Sequence, residues 1–120
     1  MDKSELEKAL ARGIYGTPEL KRAEKQKFLG TFRERVLKVL TKKQVIQRGT
    51  YKEILEALKD PRAGKLIITN DVQMSEAMEY ILMAKHNQVE FTMVDGHDYQ
   101  GDIGLVVAAG TAIDVEDIYV

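Results

Sequence analysis

The sequence predicts a small layered α/β sandwich with a mixed sheet of about four strands. Three observations carry that reading. Two apolar runs, Leu66-Ile67-Ile68-Thr69 and Gly104-Leu105-Val106-Val107-Ala108-Ala109, lack polar alternation, as strands covered on both faces do. Other segments space their apolar residues at i, i+3, i+4 and i+7, the period of a helix with one buried face. From residue 44 the two kinds alternate as β-α-β-α-β-β, preceded by two N-terminal helices. That order implies crossover connections, with helices on both faces of the sheet.

A first short helix is expected over residues 4–12. Ser4 and Glu7 have capping-box spacing, and Gly13 supplies a stop. A long helix is expected from Pro18 or Arg22 to Leu40. It starts behind Thr17-Pro18 and carries Leu29, Phe32, Val36, Val39 and Leu40 as its apolar stripe. Val45-Ile46-Gln47 reads as a short strand. Residues 50–59 form the next helix, with Thr50 and Glu53 as a capping box and Asp60-Pro61 as its end. After Leu66–Thr69 comes a helix from Val72 or Ser75 to His86, with Met74, Ala77, Met78, Ile81 and Leu82 as its buried stripe. Val89–Val94 and Gly104–Ala109 complete the sheet. Ile113–Val120 reads as a closing turn and an edge segment.

The 120 residues make one domain, 1–120, large enough to bury a core. Apolar residues are 44% and charged residues 31% of the chain, a globular composition. There is no cysteine, so disulfides, thiolate metal sites and a cysteine nucleophile are excluded. The opening MDKSELEKAL is charged and has no apolar signal core, and no apolar run is long enough for a bilayer. A cytoplasmic protein without membrane contact is expected.

The net charge of −1 hides a division. Residues 1–65 hold 17 Lys+Arg against 9 Asp+Glu, net +8; residues 66–120 hold Lys85 against 10 acidic residues, net −9. Such asymmetry points to an electrostatically chosen partner or to self-association. The basic charge concentrates in residues 21–48. There, Lys27, Arg33, Arg35, Lys38, Lys42 and Lys43 are the candidate contacts for RNA, DNA or an acidic protein partner. Arg35, Lys38 and Lys42 fall on one helical face at i, i+3 and i+7. Aromatics are few and Phe28 and Phe32 are expected to turn inward, so base stacking of the single-strand kind is not expected.

No catalytic constellation emerges. Ser4 and Ser75 stand where helices begin, which capping explains. The loop Asp95-Gly96-His97-Asp98-Tyr99-Gln100-Gly101-Asp102 matches neither a calcium loop nor a zinc helix, so no metal is expected. Gly96 and Gly101 have P-loop spacing, but Asp102 and Ile103 follow where lysine and a hydroxyl are needed. No dinucleotide fingerprint occurs, and no cofactor is expected. On architecture alone, a small-ligand site would lie at the carboxyl ends of the strands, near Asn70, Asp71 and His97.

The block Phe28-Leu29-Gly30-Thr31-Phe32-Arg33-Glu34-Arg35-Val36 resembles the YueI family of bacterial cytosolic proteins. So do Gly13-Ile14-Tyr15-Gly16, Pro18-Glu19, Leu40-Thr41, Gln44-Val45, Tyr51-Lys52-Glu53, Gly104–Ala109 and Ile118-Tyr119. The resemblance implies a small α/β sandwich of mixed strand direction, related in topology to chorismate-mutase-like and kink-turn-binding ribosomal proteins. It implies no activity. Kink-turn binders open a helix with Gly-Thr-Asn-Glu and a following lysine. Here Gly49-Thr50 match, Tyr51 replaces the asparagine, and Ile54, Leu55 and Glu56 stand near the lysine position. Fold analogy alone gives no function. The expectation is a non-catalytic binding module, with a protein-interaction or homo-oligomeric module as the alternative. A small-ligand protein or enzyme stands third.

Overall fold

The computed structural model describes residues 18–120; the helix expected over 4–12 lies outside the described residues. Helix α1 spans Pro18–Lys27, and a 3-10 turn at Arg33–Arg35 leads into strand β1, Val36–Thr41. Two short helices follow, α2 at Lys42–Ile46 and α3 at Lys52–Lys59. Then come β2 (Ala63–Thr69), α4 (Met74–His86), β3 (Glu90–Val94), a 3-10 turn at Gly96–Asp98, and β4 (Ile103–Ala109). The strands form one sheet in the order β1-β4-β2-β3. β4 runs antiparallel to both β1 and β2, while β2 and β3 are parallel. The mixed four-stranded sheet is the expected one. No helix among the described residues is long and apolar enough to cross a membrane.

The first strand is not where the sequence placed it. Residues 18–40 do not form one helix, because the chain turns at Leu29 and Gly30, both left-handed at φ 53° and 91°. The Gly30 N–H bonds back to the Lys25 carbonyl at 2.7 Å and closes the helix. Val36–Thr41 is a strand, and Val45-Ile46-Gln47 is not, since Val45 and Ile46 belong to α2. Arg35, Lys38 and Lys42 therefore share no helical face. Thr41 ends β1 and caps α2 at once. Its hydroxyl accepts from Gln44 N at 3.2 Å and the Gln44 side-chain oxygen accepts from Thr41 N at 2.8 Å. A cap of this kind stabilises by about 1 kcal/mol.

Each face of the sheet buries its own apolar cluster. On one face Leu37, Leu40, Leu66, Ile68, Leu105 and Val107 meet Ile54 and Leu58 of α3 and Ala77, Tyr80, Ile81 and Ala84 of α4. On the other face Val36, Val39, Ile67, Ile103 and Val106 lie under Phe28, Leu29 and Ile118. All seven β4 residues are buried, as a central strand demands. The C-terminal segment runs beside β1. Val39 N donates to the Ile118 carbonyl at 2.8 Å, and Val39 pairs with Tyr119 in a parallel bridge.

Two helix details differ from expectation. Thr50 and Glu53 make no capping box: the N-cap of α3 is Tyr51, whose N–H donates to the Tyr80 hydroxyl at 3.0 Å. On α4, Ala77 and Ile81 are buried as expected, but Met74, Met78 and Leu82 face outward, 51%, 39% and 46% exposed. Tyr80 and Ala84 take their places because the helix turns its small residues and its one aromatic toward the sheet.

Candidate functional site

The basic residues singled out from sequence are dispersed over two ends and one edge of the sheet. Arg33 Nη2 donates to the Glu116 carbonyl at 3.1 Å, and Lys38 Nζ to the Asp117 carbonyl at 2.8 Å. Lys42 Nζ pairs with Asp71 Oδ2 at 2.8 Å. Lys27 Nζ lies 5.4 Å from the Phe28 ring centroid and 5.7 Å from that of Tyr119. Arg35 and Lys43 are exposed. Hydrogen bonds or a salt bridge thus hold three of the six, Arg33, Lys38 and Lys42, within the chain, and Lys27 joins Arg33 and Lys38 in touching the C-terminal segment.

Asn70, Asp71 and His97 lie near one another where β2 and β3 end. Asn70 Oδ1 accepts from Gly96 N at 3.0 Å, so it fastens the 96–98 turn to the end of β2. Asp71 N donates to Thr69 Oγ1 at 3.2 Å, and the Asp71 carboxylate, held by Lys42, abuts Gly96 so closely that a Cβ there would collide with it. Asp95 Oδ1 accepts from His97 N at 2.9 Å and lies 3.0 Å from His97 Nδ1. Hydrogen bonding to Asp95, aided by the charges of Asp95, Asp71 and Asp98, raises the His97 pKa above its ordinary 6.5. The His97 backbone N–H first, then its ring, lowers that of Asp95. The His97 side chain is 94% exposed. Among the described residues no three His, Asp or Glu side chains converge as metal ligands.

A different set of cations does converge. α1 and the turn behind it stand over the second face and leave a groove that runs from the other end of the sheet back to the 96–99 turn. One part, about 400 Å³, lies between Lys25, Phe32 and Arg35 on one side and Lys65, Ile67 and Ala108 on the other. A second part, about 700 Å³, shares Lys25, Gly30 and Phe32 and continues past Lys21 and Arg22 to Tyr99 and Asp98. Both fall within the size range of ligand clefts.

The local chain builds this groove. Lys21 and Lys25 are one turn apart on α1, and their ammonium groups lie 4.9 and 4.8 Å from the Phe32 ring centroid. Phe32 is half-buried, not turned inward with Phe28, because the left-handed turn at Leu29 and Gly30 reverses the chain between them. A Cβ at Gly30 would stand 3.1 Å from the Tyr99 hydroxyl, so the glycine seats that ring. Glu24 lines the neighbouring side of Lys21 and Phe32, and its carboxylate accepts from Arg33 N at 3.3 Å.

Sequence reasoning missed Lys65, Phe32 and Tyr99. The spacing of Lys21 and Lys25 signalled a cationic helix face. Nothing local could have shown that Lys65, forty residues on, enters the same groove.

A family model described as a protein of unknown function, DUF1694, matches residues 3–119. The chain is 36% identical over 120 residues to the uncharacterised protein YueI of Bacillus subtilis (strain 168), covering 100% of this chain and 91% of that one. The crystal structure of that protein superposes with a TM-score of 0.81 over 98% of this chain and 92% of the other.

Proposed function

Since the chain belongs to the DUF1694 family of proteins of unknown function, we propose its role from the groove itself: it is a non-catalytic module that binds single-stranded nucleic acid. The observation that carries the reading is the meeting of Lys21, Lys25, Arg35 and Lys65 around the half-exposed Phe32 ring. Cations along a groove neutralise phosphates, and an aromatic ring beside them offers a stacking platform that every base can use. A duplex presents its bases edge-on and cannot reach the ring.

Fluorescence anisotropy with a labelled uridine-rich RNA strand and its duplex, at low and moderate salt, tests this. Single-strand binding should weaken as salt rises. The Lys21→Ala/Lys25→Ala/Lys65→Ala variant should bind more weakly and show a shallower salt dependence, by about 0.7 in log–log slope per lost phosphate contact. Phe32→Ala should lose roughly 1–3 kcal/mol of binding, as expected for one stacked base. Lys43→Ala, outside the groove, should change nothing. Binding of neither RNA form at low salt would sink the proposal and leave an acidic protein as the partner to seek.

A further inference from the structure

The order β1-β4-β2-β3 leaves β3 at a sheet edge, and among the described residues no strand pairs with its outer side. Asn70 N donates to the Val94 carbonyl at 2.9 Å, so the Val94 main chain faces β2. Main-chain groups alternate in direction along a strand. Glu90 and Thr92 therefore also face β2, and the N–H and C=O groups of Phe91 and Met93 point outward. Four outward main-chain groups in register invite another strand.

The flank of this edge is apolar. Phe91 is 38% exposed, and Lys85 Nζ lies 5.5 Å from its ring centroid, which fixes the stripe of α4 that runs along β3. Met74 and Met78, eleven and seven residues before Lys85, belong to that stripe and are exposed. The strand holds no proline and no bulge, and its one charge, Glu90, stands at its start, with the Lys85 ammonium over the Phe91 ring beside it.

We infer that β3 pairs antiparallel with β3 of a second copy of this chain, about a two-fold axis at Thr92, joining two sheets into one of eight strands. The strand Glu90-Phe91-Thr92-Met93-Val94 is complementary to its own reverse. With the axis at Thr92, Phe91 stands opposite the partner's Met93. These are the residues whose main chains point outward, so each such pair exchanges two hydrogen bonds. On the helix face the same pair makes an aromatic–thioether contact. Thr92 meets its own counterpart, and Glu90 meets the partner's Val94, so no like charges oppose. An axis at Phe91 or Met93 would run the pairing past one end of the strand, into Val89 or Asp95. The two-fold consumes both β3 edges, and β1, the other edge, is already bridged by Tyr119. Growth of the sheet therefore stops at two copies.

Sedimentation and amide hydrogen exchange on the full chain test the pairing, independently of nucleic acid. The wild type should sediment as a dimer at high micromolar concentration, with the Phe91 and Met93 amides protected and their exchange slowing as concentration rises. Phe91→Glu/Met93→Glu sets carboxylates opposite each other and should weaken association by about tenfold or more. Phe91→Glu/Met93→Lys sets carboxylate opposite ammonium in this register alone and should restore the dimer. Circular dichroism checks that both fold; should either fail, the wild-type exchange decides. A monomer at every concentration, a dimer whose Phe91 and Met93 amides exchange freely, or two double variants that associate alike would overturn the inference.

Discussion

Gly104, the second residue of β4, lies directly beneath the start of α2, and the nearest atoms above it are main chain. A Cβ there would stand 2.9 Å from Lys42 Cα and 3.2 Å from Val45 Cγ2. Lys42 cannot yield, because its N–H donates to the Asp102 carbonyl at 2.7 Å. Gly104→Ala should therefore cost about 1–3 kcal/mol, read as a lower urea midpoint at unchanged slope. Gly110→Ala is the control: nothing lies within 4 Å of its Cβ position, and the change should stay within about 0.5 kcal/mol. His97 tests the other strand end. Its folded pKa is raised, so its favourable pairing with Asp95 is fully present below 6.5 and is lost as pH rises through the folded value. A proton-resonance titration should place His97 above 6.5, and Asp95→Asn should bring it back toward that value. An unchanged pKa in the variant would show that Asp95 is not the cause. These residues illustrate what sequence reading could reach. The gathering of Asn70, Asp71 and His97 followed from architecture, since parallel strands end together. The seat of Gly104 did not, because an approach between β4 and α2 leaves no local mark.

Two elements show why local pattern misled. Val36, Val39 and Leu40 fit helical spacing and a buried strand equally well, and six residues are too few to decide. The β-branched residues Val36, Val39 and Thr41 favoured the strand. The deciding signal was Gly30, which closes the helix in a left-handed turn. On α4 the surplus of apolar residues allowed two stripes, and the one through Tyr80 and Ala84 won. Tyr80 is wholly buried, and its hydroxyl accepts the Tyr51 N–H at the start of α3. One helix thus caps another, where the sequence offered Thr50 for the task. Tyr80→Phe keeps the ring and removes the acceptor, so it should cost about 1–2 kcal/mol. Exchange of the Tyr51 amide should quicken in the same variant. A neutral substitution would show that water replaces the hydroxyl without loss.

At the scale of the whole molecule, the division into a basic and an acidic half is met in part within the chain itself. The segment holding Asp114, Glu116 and Asp117 runs along the edge that carries Arg33 and Lys38. Yet those cations grip main-chain carbonyls, and among the described residues the salt bridges lie elsewhere. Two forces could hold the segment: charge attraction, or the anchor Ile118, which is fully buried against Val36, Val39, Ile103 and Val106. Their magnitudes differ. Attraction between exposed charges is screened beyond about 10 Å at 0.1 M salt, and individual exposed pairs contribute at most about 1 kcal/mol. Truncating a buried isoleucine to alanine costs about 2–5 kcal/mol. The anchor should dominate. Ile118→Ala should lower the unfolding free energy by that amount and open residues 113–120 to protease, while moderate salt should leave the wild-type urea midpoint nearly unchanged. If salt instead released the segment and Ile118→Ala did not, the charge division would be what closes the β1 edge, and that edge would become accessible to a competing polyanion.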